Sequence, residues 1–262
     1  MDKPVEDKNM EQTQEILDRI NQIVQAKETI HFLNCYRGIS ISYEGVLREM
    51  GQNSAIFSTR KYQLLCMRLE AVTYLQSNLL PEIVKARVSS VDIGREIVSL
   101  TKFEYTTSSI GNRMQIRVEP DEPVRTVVIN KLGVACEMIE ISLHGLSVYM
   151  NPANFDWRLF QRNSRVMVEF TLREPNQGRS HLVRVPGVIK YVSVNTQNRT
   201  IRLGLFTSPD NPTEAFLSHY IASRQADLLK EIRSLLEIEE QKDRKQTGGL
   251  TPRQTGGLPP PT

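Results

Sequence analysis

Two arginines four residues apart, Arg113 and Arg117, stand upstream of the run Glu140-Ile141-Ser142-Leu143-His144-Gly145. A guanidinium is planar, permanently charged and forked. It meets phosphate oxygens, or the O6/N7 edge of guanine, with two bonds at once. Glu140 and Ser142 are two apart, so on a strand they share a face. Their carboxylate and hydroxyl can accept from guanine N1–H and N2–H₂, and the hydroxyl can donate to a phosphate. Gly145 permits a tight turn and a close backbone approach. Together the two pieces look like halves of a site that grips a small, doubly charged purine ligand. Each piece alone is a weak signal and reads as a solvated linker and an ordinary strand end.

No pattern assembles a nucleophile, a base and an oxyanion donor, so no catalytic residues and no enzyme are expected. Phosphate-binding glycine loops, the H-E-x-x-H pair and the G-x-S-x-G elbow are all missing from the sequence. His31, His144, His181 and His219 are scattered, and none pairs with a carboxylate at metal-ligand spacing. No metal or cofactor is expected. Cys35, Cys66 and Cys136 are odd in number and far apart, which argues for reduced core thiols and against a disulfide framework. The formal net charge is +3 and the basic residues do not cluster on one element, unlike a dedicated nucleic-acid binder. An RNA-binding small barrel is disfavoured further, because no aromatic ladder accompanies the basic residues. Met1 to Lys8 is charged with no apolar run behind it, and no stretch approaches the ~20 apolar residues of a membrane span. The expected location is the cytoplasm.

The elements that would position these residues are mainly strands. Residues 1–27 form a helical segment, with Ile16, Leu17, Ile20, Ile23 and Val24 at helical spacing between Met10 and Lys27. Residues 28–108 hold many short strands separated by turns, which suggests a small antiparallel barrel or sandwich. Tyr62 to Leu69 is read as one of those strands. Residues 109–117 form a linker carrying the arginine pair. Residues 118–208 read as six strands with hairpin turns, a second small barrel. Trp157 is expected to pack in the core or plug the barrel. Asn211-Pro212-Thr213 opens a long helix over 212–241, with Thr213 as its cap and a wide apolar stripe for docking or for an oligomer seam. The tail, 242–262, repeats Gln-Thr-Gly-Gly-Leu and is expected to be disordered. The fold class is thus mainly β: two small antiparallel β-barrels with an N-terminal and a long C-terminal helix.

The order of these pieces resembles a known family. Asn-Arg-Met-Gln-Ile-Arg-Val-Glu-Pro from Asn112, followed by Pro123-Val124-Arg125, resembles the R-x-x-x-R entry of PilZ domains. Glu-Ile-Ser-Leu-His-Gly resembles their D/N-x-S-x-x-G turn, and Arg202-Leu203-Gly204-Leu205-Phe206 resembles the strand that closes their barrel. Residues 28–108 resemble, by texture, the N-terminal barrel of the flagellar brake (YcgR-type) branch. The resemblance implies binding of cyclic di-GMP, with Arg113 and Arg117 on phosphate and guanine edges, Glu140 and Ser142 on the second face, and Gly145 setting the turn. One position departs: Glu140 stands where the pattern has Asp or Asn, and its extra methylene pushes the carboxylate outward.

The expectation is a receptor whose ligand changes the geometry between its barrels. It would signal to a protein partner in motility, attachment or exopolysaccharide control, with oligomerisation through the C-terminal helix as an option. The competing class is an interaction protein that no longer binds nucleotide and acts through its C-terminal helix and tail.

Overall fold

The computed structural model describes residues 5–106, 115–173, 178–195 and 200–247. Arg113 and most of the Gln-Thr-Gly-Gly-Leu repeat tail lie outside the described residues. The chain divides into two compact units. One gathers Met1–Asn34, Ser42–Thr107 and Ile232–Thr262, and the other Cys35–Ile41 and Ser108–Glu231.

The first unit is built on a closed six-stranded barrel. Its strands are β1 (Ile30–Tyr36), β2 (Ile39–Met50), β3 (Ser54–Ser58), β4 (Val72–Gln76), β5 (Ile83–Asp92) and β6 (Ile97–Thr106). All pairings are antiparallel, in the order β1-β2-β3-β6-β5-β4. The short strands alternate as their sequences require. Ala55 and Phe57 of β3, and Thr73 and Leu75 of β4, turn inward. Helix α1 (Val5–Gln25) starts earlier than its apolar spacing suggests and buries Ile16, Leu17, Ile20 and Ile23. Thr13 on the same helix donates to the Phe103 carbonyl of β6 at 3.2 Å.

Residues Lys61–Glu70 form a second helix, α2, where a strand is expected from Tyr62 to Leu69. Five successive residues, Gln63 to Met67, are buried, and a continuous buried run has no period to read. Composition was the better guide, since Gln, Leu, Met, Arg and Glu all favour helix. Ala71 ends α2 in the left-handed conformation, its N–H donating to the Met67 carbonyl at 3.0 Å.

The second unit is also a closed antiparallel six-stranded barrel. Its strands are β7 (Arg125–Asn130), β8 (Leu132–Ser142), β9 (Gly145–Met150), β10 (Arg165–Arg173), β11 (Ser180–Asn195) and β12 (Thr200–Thr207). They follow the order β10-β11-β12-β9-β8-β7, so β8, β9, β12 and β11 lie side by side. Val128, Val148, Phe160, Val168 and Leu203 are fully buried at its centre. Leu217, Tyr220, Ile221 and Leu228 of helix α3 (Asn211–Thr247) join that core. The cap of α3 is Asp210 and not Thr213, for the Asp210 carboxylate accepts from Thr213 N–H at 3.1 Å. A bond from the Thr213 hydroxyl, together with that from its N–H, holds the Asp210 carboxyl below its usual range. Trp157 is 57% exposed and meets Phe155 edge-on, so it does not pack in the core, whereas Phe160 three residues on is fully buried. No described helix is long and apolar enough to cross a membrane.

Candidate functional site

The site forms because two strands of the second barrel change phase. Along β8, Cys136 and Met138 face the core opposite Met150 and Val148. A bulge between Met138 and Glu140 then inserts one residue. Beyond it Ile141 and Leu146 supply the core pair, and Glu140 and Ser142 turn to the outer face opposite Ser147 and Gly145. β11 does the same. Ile189 faces the core, the register shifts between Ile189 and Tyr191, and Tyr191 emerges outside opposite Gly204. Gly204 in turn pairs with Ser147. Tyr191, Gly204, Ser147 and Glu140 therefore make one row across four adjacent strands.

A short segment covers one end of that row. Val118 bridges Ile141, with both N–H···O bonds at 2.9 Å, which lays Arg117 over β8. Glu119 N–H donates to the Arg37 carbonyl at 2.9 Å and anchors the same segment. Arg117 Nη1 then meets Glu140 Oε1 at 2.5 Å. Arg202, two residues before Gly204 on the same face, places Nη2 at 2.9 Å from the same oxygen. Ser147 Oγ donates to it at 3.1 Å, and Tyr191 Oη lies 3.1 Å from Ser147 Oγ. With the Ser147 proton given to Glu140, Tyr191 is the donor in that last bond. The Arg202 guanidinium faces the Tyr191 ring with its carbon 6.0 Å from the centroid.

Beside this cluster lies a cavity of about 360 Å³. Arg117, Ser142, Gly145, Ser147, Lys190, Tyr191 and Phe206 are among its walls. Lys190 Nζ stands 5.6 Å from the Phe206 ring centre, so cations and aromatic faces line the same space. Such a lining suits a ligand with both phosphate charge and flat bases.

The geometry places the expected residues as follows. Arg117, Glu140, Ser142 and Gly145 come together, and Arg113 is outside the described residues. Glu140 is buried beneath the arginines and does not line the cavity. Ser142 Oγ donates to the Gly145 carbonyl at 3.1 Å, so its lone pairs, and not its proton, are left for other partners. Gly145 matters by close approach, since a β-carbon there would lie 3.0 Å from the Leu205 carbonyl oxygen. Arg202, Ser147, Tyr191, Lys190 and Phe206 were not foreseen as site residues. The period-two spacing of Arg202, Gly204 and Phe206 carried a usable signal. Tyr191 carried none, because the bulge before it breaks the alternation. Among the described residues no group of three or more His, Cys, Asp or Glu side chains is placed to hold a metal ion.

Residues 111–223 match the family described as PilZ domain. No curated protein matches the chain significantly. Among solved structures, the chain is similar to K. pneumonia MrkH in a c-di-GMP complex at 10% identity, covering 84% of this chain and 95% of that one with a TM-score of 0.41. It is similar to Escherichia coli YcgR in complex with c-di-GMP at 10% identity, covering 84% and 93% with a TM-score of 0.41. The Bacillus subtilis inhibitor of motility (MotI/DgrA) aligns at 10% identity over 76% of this chain and 97% of that one, with a TM-score of 0.39.

Proposed function

We propose that this chain, which carries a PilZ domain over residues 111–223, is a cytoplasmic receptor for cyclic di-GMP. The observation that carries the reading is the meeting of Arg117 with Glu140 at the edge of a cavity walled by Ser142, Gly145, Tyr191 and Phe206. Residues far apart in sequence converge there on one outer face of the barrel. Arg113 and Arg117 take phosphate oxygens and guanine edges, Glu140 and Ser142 accept from guanine N–H groups, and Tyr191 and Phe206 offer aromatic faces to the bases. The arginines lie in the 109–117 linker, which joins the two barrels in sequence. Ligand capture ties that linker to the second barrel and changes how the barrels are presented. The output is contact with a protein partner in motility, attachment or exopolysaccharide control.

A second reading draws on the same pair. Arg117 is already bonded to Glu140, as in a barrel that has given up nucleotide and acts constitutively through its C-terminal helix and tail. Calorimetric titration of the full chain with cyclic di-GMP separates the two. Binding that weakens at least tenfold in Arg113→Ala and in Arg117→Ala supports the receptor, and a flat titration of the wild type and both variants favours the constitutive protein.

A further inference from the structure

We propose that Glu140 is a built-in competitor of the ligand for Arg117 and Arg202, and that it decides which anions the site admits. The inference rests on the reading of this site as a cyclic di-GMP pocket. The Glu140 side chain is 8% exposed, whereas those of Arg117 and Arg202 are 34% exposed. The carboxylate thus lies under two guanidinium groups that still reach solvent. Arg117 walls the cavity and Glu140 does not.

A phosphate entering the cavity meets an arginine whose Nη1 is engaged at 2.5 Å. Drawing Arg117 away leaves a buried carboxylate with one donor fewer, which is costly in a poorly solvated place. A plain anion makes this worse, for it brings a second negative charge and no donor. A guanine-bearing phosphate offsets the loss, because N1–H and N2–H₂ supply the carboxylate with new donors while the phosphate takes the arginine. The adenine edge presents a bare N1 acceptor in that position and cannot. Glu140 therefore holds affinity down and restricts entry to ligands that exchange both partners together.

Shortening or neutralising the carboxylate should release the arginines. The full chain, with Glu140→Gln and Glu140→Asp, is titrated with cyclic di-GMP and separately with inorganic pyrophosphate. Gln keeps one of the two acceptor oxygens for guanine and removes the competing charge. Glu140→Gln is expected to bind cyclic di-GMP about tenfold tighter than wild type, as when a closed form populated about nine parts in ten is abolished. It should also bind pyrophosphate, which the wild type rejects. Glu140→Asp keeps the charge and draws it back by one methylene, so a smaller gain is expected. That variant decides the matter if Glu140→Gln does not fold. A wild type that is silent towards cyclic di-GMP, beside a Glu140→Gln that binds, also supports the competitor. The proposal is overturned if removing or retracting the charge leaves cyclic di-GMP affinity equal or weaker, or if wild type and Glu140→Gln respond to pyrophosphate alike. Silence of wild type and every variant towards cyclic di-GMP is a distinct result, which removes the receptor reading and this proposal with it.

Discussion

Gly204 sits opposite Tyr191 across the β11–β12 ladder, and a β-carbon on Gly204 would fall 1.9 Å from Tyr191 Cε1. The ring lies over the glycine, which is how its hydroxyl comes within 3.1 Å of Ser147. Gly204→Ala must push the ring aside. Overpacking of this kind costs about 1–3 kcal/mol. The variant should melt lower and, on the receptor reading proposed above, bind cyclic di-GMP more weakly. Tyr191→Ala combined with Gly204→Ala removes the clash, so the double variant should be more stable than additivity predicts. Chemical denaturation of the four proteins checks the cycle.

Asn34 is the hub of a buried polar cluster in the first barrel. Its Oδ1 accepts from Gln63 Nε2 and from the Thr73 hydroxyl, each at 2.7 Å, and its Nδ2 donates to the Val72 carbonyl at 2.8 Å. Asn34→Ala takes an acceptor from two buried donors at once. A loss of about 2–6 kcal/mol is expected, from roughly 1–3 kcal/mol for each of the two unsatisfied groups. The measurement is a urea titration followed by a probe in the first unit.

Glu231 sets a pH dependence in the second unit. Burial favours its neutral form, but hydrogen bonds from Arg224 at 2.9 Å and Arg37 at 2.7 Å outweigh burial and hold its carboxyl below the usual range. A carboxyl with a lowered folded pKa stabilises the native state above its ordinary value, about 4.3. That contribution is lost as pH falls through the lower folded value. Wild type should therefore melt higher than Glu231→Gln near neutral pH, and the gap should close as the solution is acidified below about pH 4.

Burial pushes the Cys136 thiol up to about 12, so it stays protonated at neutral pH. Cys66 is also buried, whereas Cys35 is partly exposed. Alkylation of the native protein with iodoacetamide should label Cys35 first and leave Cys136 unmodified until the chain is unfolded. Peptide mass spectrometry reads the order directly.

The strands of both barrels were legible because their inner and outer residues alternate. Val166, Val168 and Phe170 announce β10 without help from anything distant. Helix α2 was not legible as a helix, because a fully buried run erases the period on which the reading depends. The site was legible in part. Arg117, Glu140, Ser142 and Gly145 stand in order along the chain, and Arg202 stood in a run already noticed for another reason. That Arg202 and Arg117 meet on one carboxylate oxygen depends on strand order around the barrel, which no local pattern encodes. Nor does any pattern announce that Tyr191, and not Ile189, faces outward.

The bulge before Glu140 has a consequence for how this barrel tolerates change in length. Removing the extra residue, Ile139, would restore an unbroken two-residue rhythm along β8 with both halves facing as they do now: Met138 inward, Glu140 outward, Ile141 inward. A deletion beyond the bulge has no such outlet. Losing Ile141 would set Glu140 next to Ser142, with the hairpin at Leu143-His144 closing the strand behind them, and one of the two polar side chains would have to turn into the apolar interior. The supernumerary residue is thus the one position where β8 can shorten without exchanging inside for outside. The candidate binding surface and the core share one strand, and that residue marks where the parity of inward positions changes.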